Sequence, residues 1–144
     1  MSVSRRSKYV LSAMAVVWLV AMIALSPRFL AVEREKKNVE RAFTDYSSMV
    51  VRHDFEDAYH ICSPQFREAM PYDMFVTQQG ILESKYGRIK SVKGIGYKVT
   101  STGEPATWRG VITADFIFEK GSARFVLEFH RADAMWLLFG YKQI

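Results

Sequence analysis

The sequence contains a single cysteine, Cys62, among 144 residues. One thiol cannot form an internal disulfide, so the cysteine content excludes neither a reducing nor an oxidising compartment. Because Cys62 lies far from the N-terminus, a lipid-modified cysteine anchor is excluded. Disordered and low-complexity classes are also excluded, since 14% of the residues are aromatic and 49% are hydrophobic, enough for the core of one domain.

Acidic residues are absent from the first 27 positions, although the whole chain has 20 basic and 15 acidic residues and a net charge of +5. Arg5, Arg6 and Lys8 supply +3 of this excess, and the remaining 117 residues supply only +2. Most of the excess positive charge therefore lies in a short basic tip, residues 1–8. We expect no nucleic-acid partner, since such partners select a basic domain.

Residues 9–26 contain no charge at all, an uninterrupted run of 18 residues. As a helix this run is about 27 Å long, close to the hydrocarbon thickness of a bilayer. The run predicts a single transmembrane helix over residues 9–27. A cleaved signal peptide is the alternative, but Pro27 would directly follow a cut after Ser26, which disfavours cleavage.

The basic tip also predicts the orientation of this helix. Positive residues favour the cytoplasmic side, so Arg5, Arg6 and Lys8, together with Trp18 in the span, are assigned to the membrane topology. A second basic cluster follows the span, but the charge rule weakens for a translocated segment of 117 residues. We expect a bacterial inner-membrane protein with its N-terminus in the cytoplasm and its domain in the periplasm.

The remaining chain is predicted to be rich in helix first and in strand later. Residues 28–38 are charged and lack glycine, which predicts a helical stalk. An α+β domain over residues 39–144 begins with apolar residues at helical spacing: Val39, Ala42, Phe43, Tyr46 and Val50. Asp54 is a candidate N-cap, and Ser63-Pro64 restarts a short helix. A further helix between Pro71 and Gly87 is expected to use one face for Met74, Phe75, Gln78, Ile81, Leu82 and Tyr86.

After Gly87 the hydrophobic period becomes two, which predicts a curved four-stranded antiparallel sheet with helices packed on it. Gly94-Ile95-Gly96 is interpreted as a bulge. A two-residue turn at Lys120-Gly121 would pair Phe116 with Phe125, Ala114 with Leu127 and Ile112 with Phe129. The last strand, residues 135–143, has apolar residues on both faces, which favours burial on both sides or a contact surface.

Three stretches resemble the nuclear transport factor 2-like superfamily, which has a cone-shaped, cystatin-like fold. They are DFEDAYHICSPQFREAM with Ser63-Pro64 and Phe66-Arg67, KYGRIKSVKGIGYKV around Gly87, and the final MWLLFGY strand. The resemblance covers residues 39–144 and implies the fold. It transfers no catalytic constellation, because the fold hosts isomerases, dehydratases, binding modules and assembly subunits alike.

Residues able to carry chemistry are few and have structural interpretations. His53, Asp57 and His60 could lie near one side of a helix, but a solvated face is the favoured interpretation over a metal site. His130, Glu128 and Asp115 could form an acid/base group, yet an ion-pair ladder needs the same residues. Cys62 lies in an apolar stripe and is predicted to be a core residue. We expect no catalytic residue, cofactor or metal.

The sequence therefore favours a non-enzymatic, membrane-anchored accessory or assembly subunit. Its sheet would contact partner subunits or a second copy through Val111, Ile117, Val126, Trp136 and Leu138. The first alternative is a small-ligand module whose cone is lined by Tyr46, Tyr59, Phe66, Tyr97 and Trp108. The second is an isomerase- or hydrolase-type enzyme. A basic stretch around the first strand is interpreted as edge protection or as a contact with anionic lipid headgroups: Lys85, Arg88, Lys90, Lys93 and Lys98.

Overall fold

The computed structural model describes residues 5–24 and 26–144, and the side-chain surroundings of residues 14–23 and 26–144. The chain divides into two compact units, Met1–Arg34 and Glu35–Ile144. Residues 1–4 of the predicted tip and the side chains of Arg5, Arg6 and Lys8 lie outside the described part. The topology assigned to these three residues therefore stays a prediction.

Helix α1, Arg5–Ala24, is followed by α2, Pro27–Val51. This differs from the single helix predicted over residues 9–27, because a proline begins the second helix and its fixed φ suits the first helical turn. Trp18 on α1 is exposed. Among the described residues no helix alone is long and apolar enough to cross a membrane. Met14–Ile23 and Pro27–Val51 meet that requirement together, by length and composition, as a bent pair.

Helix α2 contains both the predicted stalk and the first predicted helix of the domain. Its buried stripe begins at Glu35 and continues with Val39, Phe43, Tyr46, Ser47 and Val50. Glu35 is 1% exposed. Its carboxylate accepts hydrogen bonds from Arg131 Nη1 at 2.8 Å and Trp136 Nε1 at 3.0 Å. A residue of the charged stalk sequence is thus part of the core of the α+β unit.

Three shorter helices follow: α3, Phe55–His60; α4, Pro64–Ala69; and α5, Tyr72–Tyr86. Asp54 precedes α3, but its carboxylate accepts from Arg52 at 2.8 Å and does not cap the helix. The helix predicted to start at Ser63-Pro64 is present as α4, and Ser63 caps it, since its Oγ accepts from the backbone N–H of Phe66 at 3.1 Å. Gly87 ends α5 with φ = 80°, a conformation that favours glycine.

The buried face of α5 differs from the prediction. Phe75 and Gln79 are buried, whereas Met74 and Ile81 are more than half exposed. The helix has apolar residues on several sides, so spacing alone did not identify the side that packs on the core.

The sheet has four antiparallel strands in the order β1-β2-β3-β4: β1, Ile89–Thr102; β2, Thr107–Phe118; β3, Gly121–Ala132; and β4, Met135–Gln143. The α+β class and the four-stranded antiparallel sheet are therefore confirmed. The register shift between Gly94 and Gly96 confirms the predicted bulge. Two further irregularities, between Ile89 and Ser91 and between Glu128 and Phe129 opposite β4, were not predicted.

The predicted β2–β3 register is wrong by two residues. Phe118 pairs with Gly121, and Phe116 pairs with Ala123 and not with Phe125, so the turn is Glu119-Lys120. The backbone N–H groups of Glu119 and Lys120 donate to the carbonyls of Arg88 and Tyr86. These contacts with residues just before β1 hold the turn at Glu119-Lys120, one residue earlier than the predicted turn at Lys120-Gly121. A shift of two leaves every side chain on its predicted face.

The core lies between the helices and one face of the sheet. Its fully buried members include Tyr46, Phe75, Ile112, Leu127, Phe129 and Leu138. We call this face of the sheet the inner face and the opposite one the outer face. The helices of the Glu35–Ile144 unit pack on the inner face. The candidate site lies on the outer face.

Candidate protein-contact surface on the sheet

The outer face consists of alternate residues from all four strands. Pairing across the sheet places them in continuous rows, because each outward residue of β2 faces an outward residue of its neighbours. The members are Lys93 and Lys98; Arg109, Val111, Thr113, Asp115 and Ile117; Arg124, Val126, Glu128 and His130; and Leu137, Phe139 and Lys142.

One ion-pair group of the outer face is centred on Glu128. Its carboxylate contacts Arg109 at 2.7 Å and His130 Nε2 at 2.6 Å. Partial burial raises the pKa of Glu128, but the hydrogen bonds and charges of Arg109 and His130 outweigh burial and hold that pKa below its ordinary value. Glu128 is therefore ionised at neutral pH and serves as a fixed acceptor.

A second ion pair joins neighbouring strands directly. Arg124 donates through Nε at 2.7 Å and Nη2 at 3.0 Å to the two carboxylate oxygens of Asp115. The hydrogen bond from Arg124 is the largest cause that lowers the pKa of Asp115. Burial opposes it, and the charges of Arg124 and Lys93 lower the pKa further by smaller amounts. This bidentate geometry fixes both side chains in one arrangement.

An aromatic contact extends the outer face onto β4. The Phe139 ring stacks on the His130 ring with centroids 4.0 Å apart and planes at 11°. Phe139 lies between inward Leu138 and Gly140, which pairs with outward Glu128, so its side chain extends to the outer face and contacts His130. Phe139 remains 37% exposed.

Three of the five predicted contact residues lie on the outer face. Ile117 is exposed, and Val111 and Val126 are half-buried. The prediction is wrong for Trp136 and Leu138, which are buried on the inner face and are not accessible to a partner. Alternation along β4 separates Trp136 and Leu138 from Leu137 and Phe139, but it does not tell which set faces the helices, so Leu137 and Phe139 were missed as outward apolar residues.

None of the five predicted pocket residues lines a groove that the described part of the chain shows. Tyr46 and Phe66 are core residues, and Tyr97 is exposed on edge strand β1. The Tyr59 hydroxyl donates to the Met70 carbonyl at 2.9 Å, while Trp108 is half-buried beside the core. Four surface grooves of about 270–350 Å³ in the described part of the chain are lined by other side chains.

The candidate acid/base residues belong to the outer face. Asp115, Glu128 and His130 are brought close to arginines and to Phe139, not to an enclosed void. This arrangement is the ion-pair ladder that the sequence offered as the structural interpretation. Their chemistry at this location is hydrogen bonding and charge recognition.

The remaining candidates for chemistry are separated from one another. His53 Nε2 contacts Glu83 at 2.6 Å, and His60 Nδ1 contacts the Glu56 carbonyl at 2.8 Å. No group of three metal-ligating side chains occurs within the described residues. Cys62 is buried, as predicted, and burial raises the pKa of its thiol to about 12, against a smaller lowering by Arg67. A neutral, enclosed thiol is a poor nucleophile.

The outer face carries more positive than negative charge. Five basic residues, Lys93, Lys98, Arg109, Arg124 and Lys142, share it with two acidic residues, Asp115 and Glu128. Exposed or half-buried aliphatic and aromatic side chains lie between these charges. Apolar area with a polar border is the usual composition of a protein-contact surface.

Comparison with known proteins gives no relative for this chain. No protein-family model matches the sequence, and no curated protein matches it. The functional assignment therefore depends on the residues of the site itself.

Proposed function

We propose that this chain is a non-enzymatic, membrane-anchored accessory or assembly subunit of a larger membrane protein complex. Its nuclear transport factor 2-like domain contacts a partner protein through the outer face of the sheet. The observation that carries the proposal is that apolar residues with fixed ion pairs occupy a sheet face that no helix of the Glu35–Ile144 unit covers.

The membrane anchor is supported by the uncharged run and the bent helix pair at the N-terminus. We place the N-terminus in the cytoplasm and the α+β domain in the periplasm of a bacterial inner membrane. Anchoring reduces the search for a membrane-bound partner to two dimensions, so a modest contact surface is sufficient for a stable complex.

The apolar part of the surface supplies its binding energy. Ile117, Phe139 and Leu137 extend between the charged groups, and each apolar Å² removed from water stabilises a complex by roughly 25 cal/mol before the costs of association. Phe139 is already held by its stacking on His130, so little side-chain freedom is lost on binding.

The charges favour a particular kind of partner. The outer face has five basic and two acidic residues, and both acidic residues already accept from arginines. A second copy would bring like charges together, whereas an acidic partner would find Lys93, Lys98 and Lys142 at the border. An acidic partner subunit is therefore favoured over a homodimer.

The proposal is tested on the full-length chain, extracted with a mild detergent from its own membranes. Val126→Arg places a large cation in the centre of the outer face, and Ser84→Arg is the matched control on exposed α5. We expect the unchanged chain and the control to retain one protein at fixed stoichiometry, and Val126→Arg to lose it. A monomer without a stoichiometric partner, or equal retention by both variants, would contradict the proposal.

A further inference from the structure

A groove of about 350 Å³ separates the C-terminal part of α2 from the start of β1. Ser47, Val51 and Arg52 line one side of it, and Lys90, Ser91 and Val92 line the other. It lies at the edge of the sheet, where Ser91 pairs with Ile117 of the outer face, and its other lining residues are not members of that face. Its volume falls in the range of small-molecule sites.

A buried hydroxyl lies beneath the surface of the groove. Ser47 is 7% exposed, and its Oγ has no hydrogen-bond partner within the described part of the chain. Two neighbouring hydroxyls are different, because Thr44 donates to the Glu40 carbonyl and Ser48 to the Asp45 carbonyl. A buried hydroxyl without a partner costs about 1–3 kcal/mol, so a ligand that accepts its proton is favoured.

The walls of the groove are positively charged. Arg52 and Lys90 are both exposed, and no carboxylate lines the groove. Arg52 uses Nε for Asp54 at 2.8 Å, and its Nη groups have no hydrogen-bond partner among the described residues. Arg52 and Lys90, with the hydroxyls of Ser47 and Ser91, therefore offer several hydrogen-bond donors. No acidic side chain among the lining residues competes with a ligand for them.

We propose that this groove binds a phosphate ester. The anion would accept from Ser47, Ser91, Arg52 and Lys90, and the organic group would contact Val51 and Val92. The planar guanidinium of Arg52 and the ammonium group of Lys90, beside hydroxyl donors, match the three or four oxygens of a phosphate group. The shared chemistry fits either a soluble phosphate ester or the headgroup of an anionic phospholipid.

The test uses the full-length, isotope-labelled chain in a non-ionic detergent, titrated with glycerol phosphate and, separately, with dioctanoyl phosphatidylglycerol. Sodium chloride at matched ionic strength is the control for screening. We expect saturable changes in the amide resonances of Ser47, Ser91 and Val92. Saturation by glycerol phosphate alone identifies a soluble ester as the ligand, and saturation by the lipid alone identifies a headgroup.

Three variants make the result specific. Ser47→Ala removes no hydrogen bond of the folded chain, so we expect normal folding with a dissociation constant raised about tenfold, the effect of one hydrogen bond to a charged group. Arg52→Gln with Lys90→Gln should abolish saturation, whereas Lys85→Gln, at an exposed position of α5 outside the groove, should leave it unchanged. Equal changes with chloride, or unchanged binding by Ser47→Ala and the double variant, would overturn the proposal. The outcome is independent of partner binding at the outer face.

Discussion

On the inner face of the sheet Arg131 donates to Glu35, which is 1% exposed, whereas on the outer face Arg109 donates to Glu128, whose side chain is 26% exposed. The two contacts have similar lengths, 2.8 and 2.7 Å. Their surroundings differ: Glu35 also accepts from buried Trp136, and Glu128 from the half-exposed His130. Equal geometry therefore carries unequal energy, because only the inner pair has a carboxylate that is buried from water, with a side-chain exposure of 2% for Glu35.

The comparison separates stability from recognition. The inner pair fixes α2 on the sheet, and its loss would leave the Arg131 charge and the Trp136 N–H without their acceptor. The outer pairs hold charged groups in one arrangement at a surface, where their contribution to folding is small. We expect variants of the two faces to separate in the same way.

The largest effect is expected for the inner carboxylate. Glu35→Ala should lower the free energy of unfolding by about 3–5 kcal/mol, because it leaves a partly buried guanidinium unpaired. Glu128→Ala should lower it by less than about 1 kcal/mol, as for other surface pairs. Urea denaturation of the full-length chain in a non-ionic detergent, followed by tryptophan fluorescence, measures both. Equal losses would remove the distinction between the faces.

The next largest effect on the free energy of unfolding is expected for apolar residues. Two consecutive positions of β3, one on each face of the sheet, form the matched pair. Leu127 is fully buried, so Leu127→Ala should cost about 2–5 kcal/mol through lost burial and the cavity left behind. Val126 lies on the outer face, and Val126→Ala should cost less than about 1 kcal/mol. The same denaturation experiment compares them. A Val126→Ala loss as large as that of Leu127→Ala would show that a further part of the chain covers the outer face.

The smallest effect is the pH dependence of the outer ion pairs. The folded-state pKa values of Asp115 and Glu128 lie below their ordinary values of 3.8 and 4.5, so their stabilisation is complete above that range. It is lost as the pH falls through the lowered folded-state values. The difference in unfolding free energy between the unchanged chain and Asp115→Asn/Glu128→Gln should therefore shrink from pH 6 towards pH 3. A difference that grows with acidification would contradict the assigned direction.

Local signals in the sequence predicted much of the fold. The alternation after Gly87 identified four strands and which residues of β2 and β3 share a face, because side-chain parity follows directly from strand geometry. Ser63-Pro64 predicted the start of a short helix, since proline suits the first helical turn and the Ser63 hydroxyl accepts from that turn. Each of these features depends on residues close together in the chain.

The features that were missed depend on distant residues. The β2–β3 turn is positioned by carbonyls of Tyr86 and Arg88, and the irregularity between Glu128 and Phe129 leaves no mark in the hydrophobic pattern. Glu35 looks like one more charge of a solvated stalk until Arg131, 96 positions later, is placed beside it. The candidate surface was therefore predicted only in part, with Trp136 and Leu138 assigned to the wrong face.

The central claim is that the outer face contacts another protein, and photo-crosslinking in the native membrane tests it most directly. A photoreactive amino acid is placed at Val126 of the full-length chain, with Ser84 as the matched exposed position. We predict one adduct of defined mass from Val126 and none from Ser84, with twice the chain mass identifying a second copy. No adduct from Val126, or the same adducts from both positions, would contradict the claim.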